Sequence, residues 1–132
     1  MKRRLLVMGG IVVLMALAVA VTRPGHAQEI FAGRYGQHTG ESLYEGICQG
    51  CHMPDAKGAS GAGAYPALAN NGRLAAAIYP VTVVVNGQRA MPNFGGDLSD
   101  DQIAAVLNYV RTHFGNHYRD VITPAVVAAA RR

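Results

Sequence analysis

Both cysteines of this chain of 132 residues fall in one pentapeptide with a histidine, Cys48-Gln49-Gly50-Cys51-His52. Two cysteines three apart project on one side of a helical turn, and the imidazole follows directly in sequence. The spacing suits the two vinyl groups of one haem, taken up as thioethers by Cys48 and Cys51, with His52 beneath the iron as a nitrogen ligand. Gln49 and Gly50 only bridge. Other readings of the pair are weaker. A thioredoxin-type redox pair follows a strand and opens a helix, whereas this pentapeptide closes one. A structural zinc site needs four ligands, and the chain has no further cysteine. A disulfide across so short a gap closes too small a loop to add much stability.

Residues 1–27 read as a secretory signal. Lys2, Arg3 and Arg4 form its charged start, Leu5 to Val21 is an unbroken run of apolar and glycine residues, and Gly25 and Ala27 stand at the minus-three and minus-one positions of a cleavage site before Gln28. The competing reading is an uncleaved anchor, since the apolar run lies at the low end of the roughly 17–25 residues a spanning helix needs. Only in that case is a membrane expected as a partner. Arg3-Arg4 lacks the flanking residues of a twin-arginine signal.

The leader also accounts for the charge. The whole chain has 12 basic and 8 acidic residues and a net charge of +4, which invites a polyanion as partner. Lys2, Arg3, Arg4 and Arg23 all lie in residues 1–27, where there is no acid, so the remainder is formally neutral. Nucleic acid is therefore not expected as a partner. A charged fraction of 15% against 50% apolar residues excludes wholesale disorder. What remains is one small core that a bound group would help to fill. Export agrees with haem as that group, because haem of this type is attached after translocation.

A second iron ligand follows by elimination. Met1, Met8 and Met15 leave with the signal, and Met53 is too close to His52 to reach the other side of the iron. Met91 remains, in the glycine-rich segment from Asn86 to Gly96 that reads as a loop. Pro92 biases Met91 toward extended backbone and stiffens the frame that presents its thioether. Met91 is thus the expected axial ligand, against the alternative that it merely fills space. His38, His113 and His117 are rivals. His38 precedes the first helix and His113 falls within the last strong one, so both are expected in solvent.

The coarse fold is helical. Thr39 caps a first helix through Leu43, Tyr44 and Ile47 to Cys48. Residues 53–72 form a long loop rich in alanine and glycine, acceptable in a small domain only if a cofactor fills the space. Asn71 to Ile78 predicts a short helix. Over Val81 to Val85 the β-branched run favours a strand, whereas Pro80 and Gly87 suit a helix start and stop. Ser99 and Gln102 form a capping box for the clearest helix, with a stripe of Ile103, Leu107, Val110 and Phe114 and a stop at Gly115. Thr123 and Pro124 open a last apolar segment to Arg132, too short to be stable alone.

With Cys48, Cys51, His52, Tyr65-Pro66-Ala67-Leu68, Met91-Pro92 and the helix leading to Asn116 in place, the chain resembles the class I single-haem c-type cytochromes, in particular small bacterial forms that serve periplasmic dehydrogenases. The match covers roughly residues 39–116. The resemblance implies an all-α fold of several short helices and long loops around one covalent haem c, with the first and last long helices crossing near it. It makes 80–86 helical rather than a strand. It also implies that the Pro66 carbonyl accepts the other ring N–H of His52 and that Leu68 packs on the haem. The expected organisation is a signal at 1–27, an N-terminal extension at 28–38, a cytochrome domain at 39–116 and a C-terminal extension with a short helix at 117–132, available to a partner subunit. The expected function is a periplasmic single-electron carrier and not an enzyme, accepting from a dehydrogenase and passing electrons to the respiratory chain. Three alternatives stay open: a cytochrome subunit held permanently in a dehydrogenase complex, an open-site haem sensor or enzyme, and a thiol-disulfide oxidoreductase.

Overall fold

The computed structural model describes residues 36, 38–61 and 63–131. The expected signal at 1–27 and nearly all of the 28–38 extension lie outside the described residues. Thr39 starts the first helix as expected: its Oγ1 accepts from the Ser42 amide at 3.1 Å. Helix α1 (Gly40–Leu43) runs directly into a π-helical turn (Tyr44–Cys48) and then into α2 (Gln49–His52). The sequence predicts a regular helix here. The observed π-turn inserts one extra residue just before the pentapeptide, a register change that propensity does not report.

Within residues 53–72 the loop contains one small antiparallel pairing, β1 (Ala59–Ser60) with β2 (Ala64–Tyr65). The expected helix over 71–78 is instead a single 3-10 turn, Gly72–Ala75, capped by the Asn71 side chain accepting from the Arg73 amide. Ile78 belongs to the next helix, α3 (Ile78–Asn86). That helix settles the conflict over Val81 to Val85 against the strand. Val81 and Val85, one turn apart, are both buried, and Gly87 at φ 75° ends the helix with its amide donating to Val83 O. Burial of one helical face outweighs β-branching. Pro80 sits in the first turn, where a missing N–H costs nothing.

Helix α4 (Asp100–Thr112) has both halves of the Ser99–Gln102 capping box, at 3.2 and 3.0 Å. Ile103, Leu107 and Val110 are buried as the stripe requires. The helix ends at Thr112, earlier than Gly115, so His113 is its C-cap and not an internal residue. Phe114, at φ 56°, leaves the helix yet still packs on Tyr44 with ring centroids 4.8 Å apart. α1 crosses α4 at Gly40, where an added Cβ would lie 2.6 Å from Tyr109 Cβ.

The C-terminal segment departs most from expectation. Helix α5 (Pro124–Ala130) packs against α3 and α4 of its own chain, and Ile122 and Val127 belong to the core. Asn108 exchanges two hydrogen bonds with the backbone of Ile122, at 2.8 and 2.9 Å. Arg131 bonds the Asp100 carboxylate at 2.5 Å and the carbonyls of Gly95 and Leu98. The segment read as an extension for a partner thus completes this chain's own core, because its apolar residues find a face of α4 to bury.

Arg111 fixes the approach to that segment. Its fully buried guanidinium donates to Leu74 O at 2.9 Å and to Asp120 Oδ1 at 2.5 Å. The hydrogen bond from Arg111 holds the Asp120 carboxyl below the usual carboxylate range. A carboxyl with a lowered native pKa stabilises fully above its unfolded value, about 3.9, and loses that contribution as pH falls through the native value. Asp120→Asn is therefore expected to flatten the acid limb of stability below about pH 4, read as denaturant midpoint against pH. An unchanged acid limb would contradict the pairing.

Candidate functional site

The pentapeptide lies across the end of the π-turn and α2. Cys48 is half-buried and Cys51 exposed, and both are free thiols. Burial pushes the Cys48 thiol up to about 11, so it stays protonated at neutral pH. A nucleophilic redox cysteine needs the opposite shift, so Cys48 is poorly suited to that role.

His52 ends α2 with its ring largely buried, and its Nδ1 lies 2.8 Å from Pro66 O. A carbonyl oxygen can only accept, so this contact fixes the tautomer: Nδ1 donates and Nε2 is left with its lone pair for a metal. Several contacts hold the turn around His52. Its carbonyl accepts from the Gly58 amide at 3.0 Å, and Tyr44 Oη donates to Met53 O at 2.7 Å. Burial, with the nearby Cys48 second, raises the Tyr44 hydroxyl to about 12, so it remains a donor. Gly58 sits at φ 67°, and a Cβ there would come within 2.8 Å of the Pro66 carbonyl carbon. No other residue lets the two backbone segments approach this closely.

Met91 stands in a separate loop. Its amide and carbonyl pair with Gln88 at 3.0 and 3.1 Å, and further along Phe94 and Gly95 donate to the last turn of α3, at Val84 O and Val85 O. The loop is thus tied at both ends, and Met91 itself is half-buried. Leu68 is also half-buried and packs against the core together with Ile47, Cys48 and Phe94. These partly covered apolar side chains, two free thiols at helical spacing and an imidazole whose Nδ1 is already bonded fit an apolar macrocycle with a central metal. Among the described residues, no group of three or more His, Cys, Asp or Glu side chains is placed to hold a bare metal ion.

The rival histidines lie elsewhere. His38, His113 and His117 are exposed, and His113 stacks on Tyr109 with centroids 4.1 Å apart. Sequence reasoning missed Tyr44 Oη, Gly58 and the buried amide of Asn116. For Tyr44 a signal existed: it lies on the apolar face one turn before Cys48, where a hydroxyl needs a partner. For Gly58 and Asn116, whose neighbours come from distant loops, no local pattern marks them.

Residues 36–110 match the family described as cytochrome C oxidase, cbb3-type, subunit III. The chain is 39% identical over 102 residues to the fructose dehydrogenase cytochrome subunit of Gluconobacter japonicus, across 66% of this chain but only 21% of that protein. It is 42% identical over 81 residues to cytochrome c6 of Diacronema lutheri, across 58% of this chain and 94% of that one.

Proposed function

The chain belongs to the cytochrome c family that includes subunit III of cbb3-type oxidases, and from this we propose a periplasmic single-electron carrier, its haem c joined to Cys48 and Cys51 and its iron held by His52 and Met91. The family's proteins are electron carriers with covalent haem c, not catalysts. When bound, the haem supplies a reversible one-electron couple. The protein's part is to hold the ligands still. Pro66 O orients His52 and raises the basicity of its imidazole, while the doubly tied loop keeps Met91 from moving between oxidation states. Thioether ligation and burial favour the reduced form relative to two histidines. Leu68 would cover part of the ring.

The observation that carries this reading is the His52 Nδ1 contact with Pro66 O at 2.8 Å, beside two unpaired thiols on the same helix end. Protein recovered from the periplasm is expected to begin at Gln28 and, oxidised, to show a methionine-to-iron charge-transfer band at the red edge of the visible spectrum. Met91→Ala removes the band and lets the reduced protein bind carbon monoxide. A band that survives this substitution would falsify the Met91 assignment, and carbon monoxide binding by the unmodified protein at neutral pH would favour the open-site sensor.

The donor we propose is a periplasmic dehydrogenase, and the acceptor a component of the respiratory chain. Likeness to the fructose dehydrogenase cytochrome subunit supports the first and equally favours a second reading, a cytochrome held permanently in such a complex. Copurification with a dehydrogenase in fixed stoichiometry separates the two. Among the described residues no helix is long and apolar enough to cross a membrane.

A further inference from the structure

The Pro66 carbonyl can orient His52 only if something holds Pro66. The segment that follows it, residues 67–71, is tied on two sides. On one side Leu68 and Ala69 both donate to Ala56 O, at 2.8 and 2.9 Å. Ala56, however, lies only four residues after His52, in the turn that leaves α2, so this tie does not reach the rest of the core. On the other side stands Asn116, 2% exposed, just beyond the end of α4. Its Nδ2 donates to Leu68 O and to Val110 O, each at 2.9 Å, and its Oδ1 accepts from the Asn71 amide at 2.9 Å. All three neighbours dictate the same orientation of the amide, because a flip would set its oxygen against two carbonyls.

Asn71 closes the frame by donating from its own side chain to Ala67 O at 2.7 Å. The other ties from the chain beyond α4 to this segment are longer, from the Asn70 amide to Phe114 O at 3.1 Å and from Tyr118 Oη to Asn71 O at 3.2 Å. Asn116 is therefore the best-placed link between the Pro66–Leu68 backbone and the rigid last turn of α4. A buried amide satisfied on every side costs most when one of its partners is lost.

We infer that Asn116 is a positioning residue for the iron ligand: through Leu68 O and Asn71 N it fixes residues 66–71 and so the carbonyl that orients His52. This rests on the reading of His52 as ligand. It also gives the C-terminal end of α4 a part in tuning the haem site from beyond its own helix.

The test uses the full haem-loaded protein and reads solvent exchange of the His52 Nδ1 proton by NMR, under conditions far from unfolding. Asn116→Ala is expected to speed that exchange about tenfold, roughly the worth of one hydrogen bond. Val127→Ala, which thins the tail packing without touching residues 66–71, is expected to leave it unchanged. Equal acceleration by both substitutions, or none by Asn116→Ala, would overturn the inference. If Asn116→Ala does not accumulate, the unmodified protein decides: the Asn71 amide, which Asn116 Oδ1 accepts, should be as protected as those of Leu107 and Val110, and exchange as fast as that of the exposed residues 59–61 would overturn it. Absence of any iron-shifted His52 ring proton in the unmodified protein would overturn the ligand reading itself. A ring proton that is present but indifferent to Asn116 overturns only the positioning role.

Discussion

Gly40→Ala is expected to destabilise the protein, although the same change in most helices stabilises by up to about 1 kcal/mol. The reason is the crossing of α1 and α4. A Cβ at Gly40 would lie 2.6 Å from Tyr109 Cβ and 3.0 Å from the Ala105 carbonyl carbon, with the Ala105 oxygen nearer still. These atoms are backbone, or fixed directly to it, in the interior of α4, so no side-chain rotation relieves the overlap and the helices must separate. Separation pulls at Leu43 and Tyr44, 0% and 1% exposed, and at the aromatic cluster of Tyr44 with Phe114 and Tyr109. Overpacking of this kind costs about 3 kcal/mol, a large share of the roughly 5–15 kcal/mol that holds a small domain together. The melting temperature of the haem-loaded protein should fall by about 12–24 °C, and by more for Gly40→Val. A rise on Gly40→Ala would mean that the helices pass less closely than the structure places them.

Arg111→Met should be nearly as damaging, for a different reason. Methionine keeps the apolar stem and much of the length but removes every donor. Arg111, 0% exposed, donates to Leu74 O, Ala75 O and both the backbone and the carboxylate of Asp120, and lies over the Tyr118 ring at 5.8 Å. Leu74 O is the buried acceptor among them and costs about 1–3 kcal/mol when left unpaired, so a loss of about 2–3 kcal/mol in a denaturant titration is expected. Arg111→Lys should recover only part of it. An ammonium has the charge without the planar fork that reaches the 3-10 turn and Asp120 together. A loss under about 1 kcal/mol for Arg111→Met would show that water substitutes for the guanidinium and that the clamp is not a unit.

Features confined to one turn were legible in the sequence. The Thr39 cap, the Ser99–Gln102 box and the Gly87 stop each use a side chain and an amide a few residues apart, so composition and spacing suffice. The pentapeptide is of the same kind, and in the sequence it is what points to haem. Arg111 left a partial trace: it follows Leu107 by one turn on the apolar face, where a cation needs buried acceptors. Those acceptors, Leu74 and Ala75, lie 37 and 36 residues away and were not visible.

By itself, then, the sequence determined the chemistry: two thiols and an imidazole at the spacing of one haem, a methionine in a stiff loop, and a chain that is formally neutral beyond residue 27. Only the tertiary structure decided that Val81 to Val85 is helical, that the pentapeptide follows a π-turn, and that residues 117–131 close the core. It also decided which groups stand behind His52, Gly58 and Tyr44 near it and Asn116 from 48 residues beyond Leu68. The physical reason is range. A cap or an attachment motif is satisfied within its own turn, whereas a buried face or a buried amide is satisfied by whatever the fold brings to it.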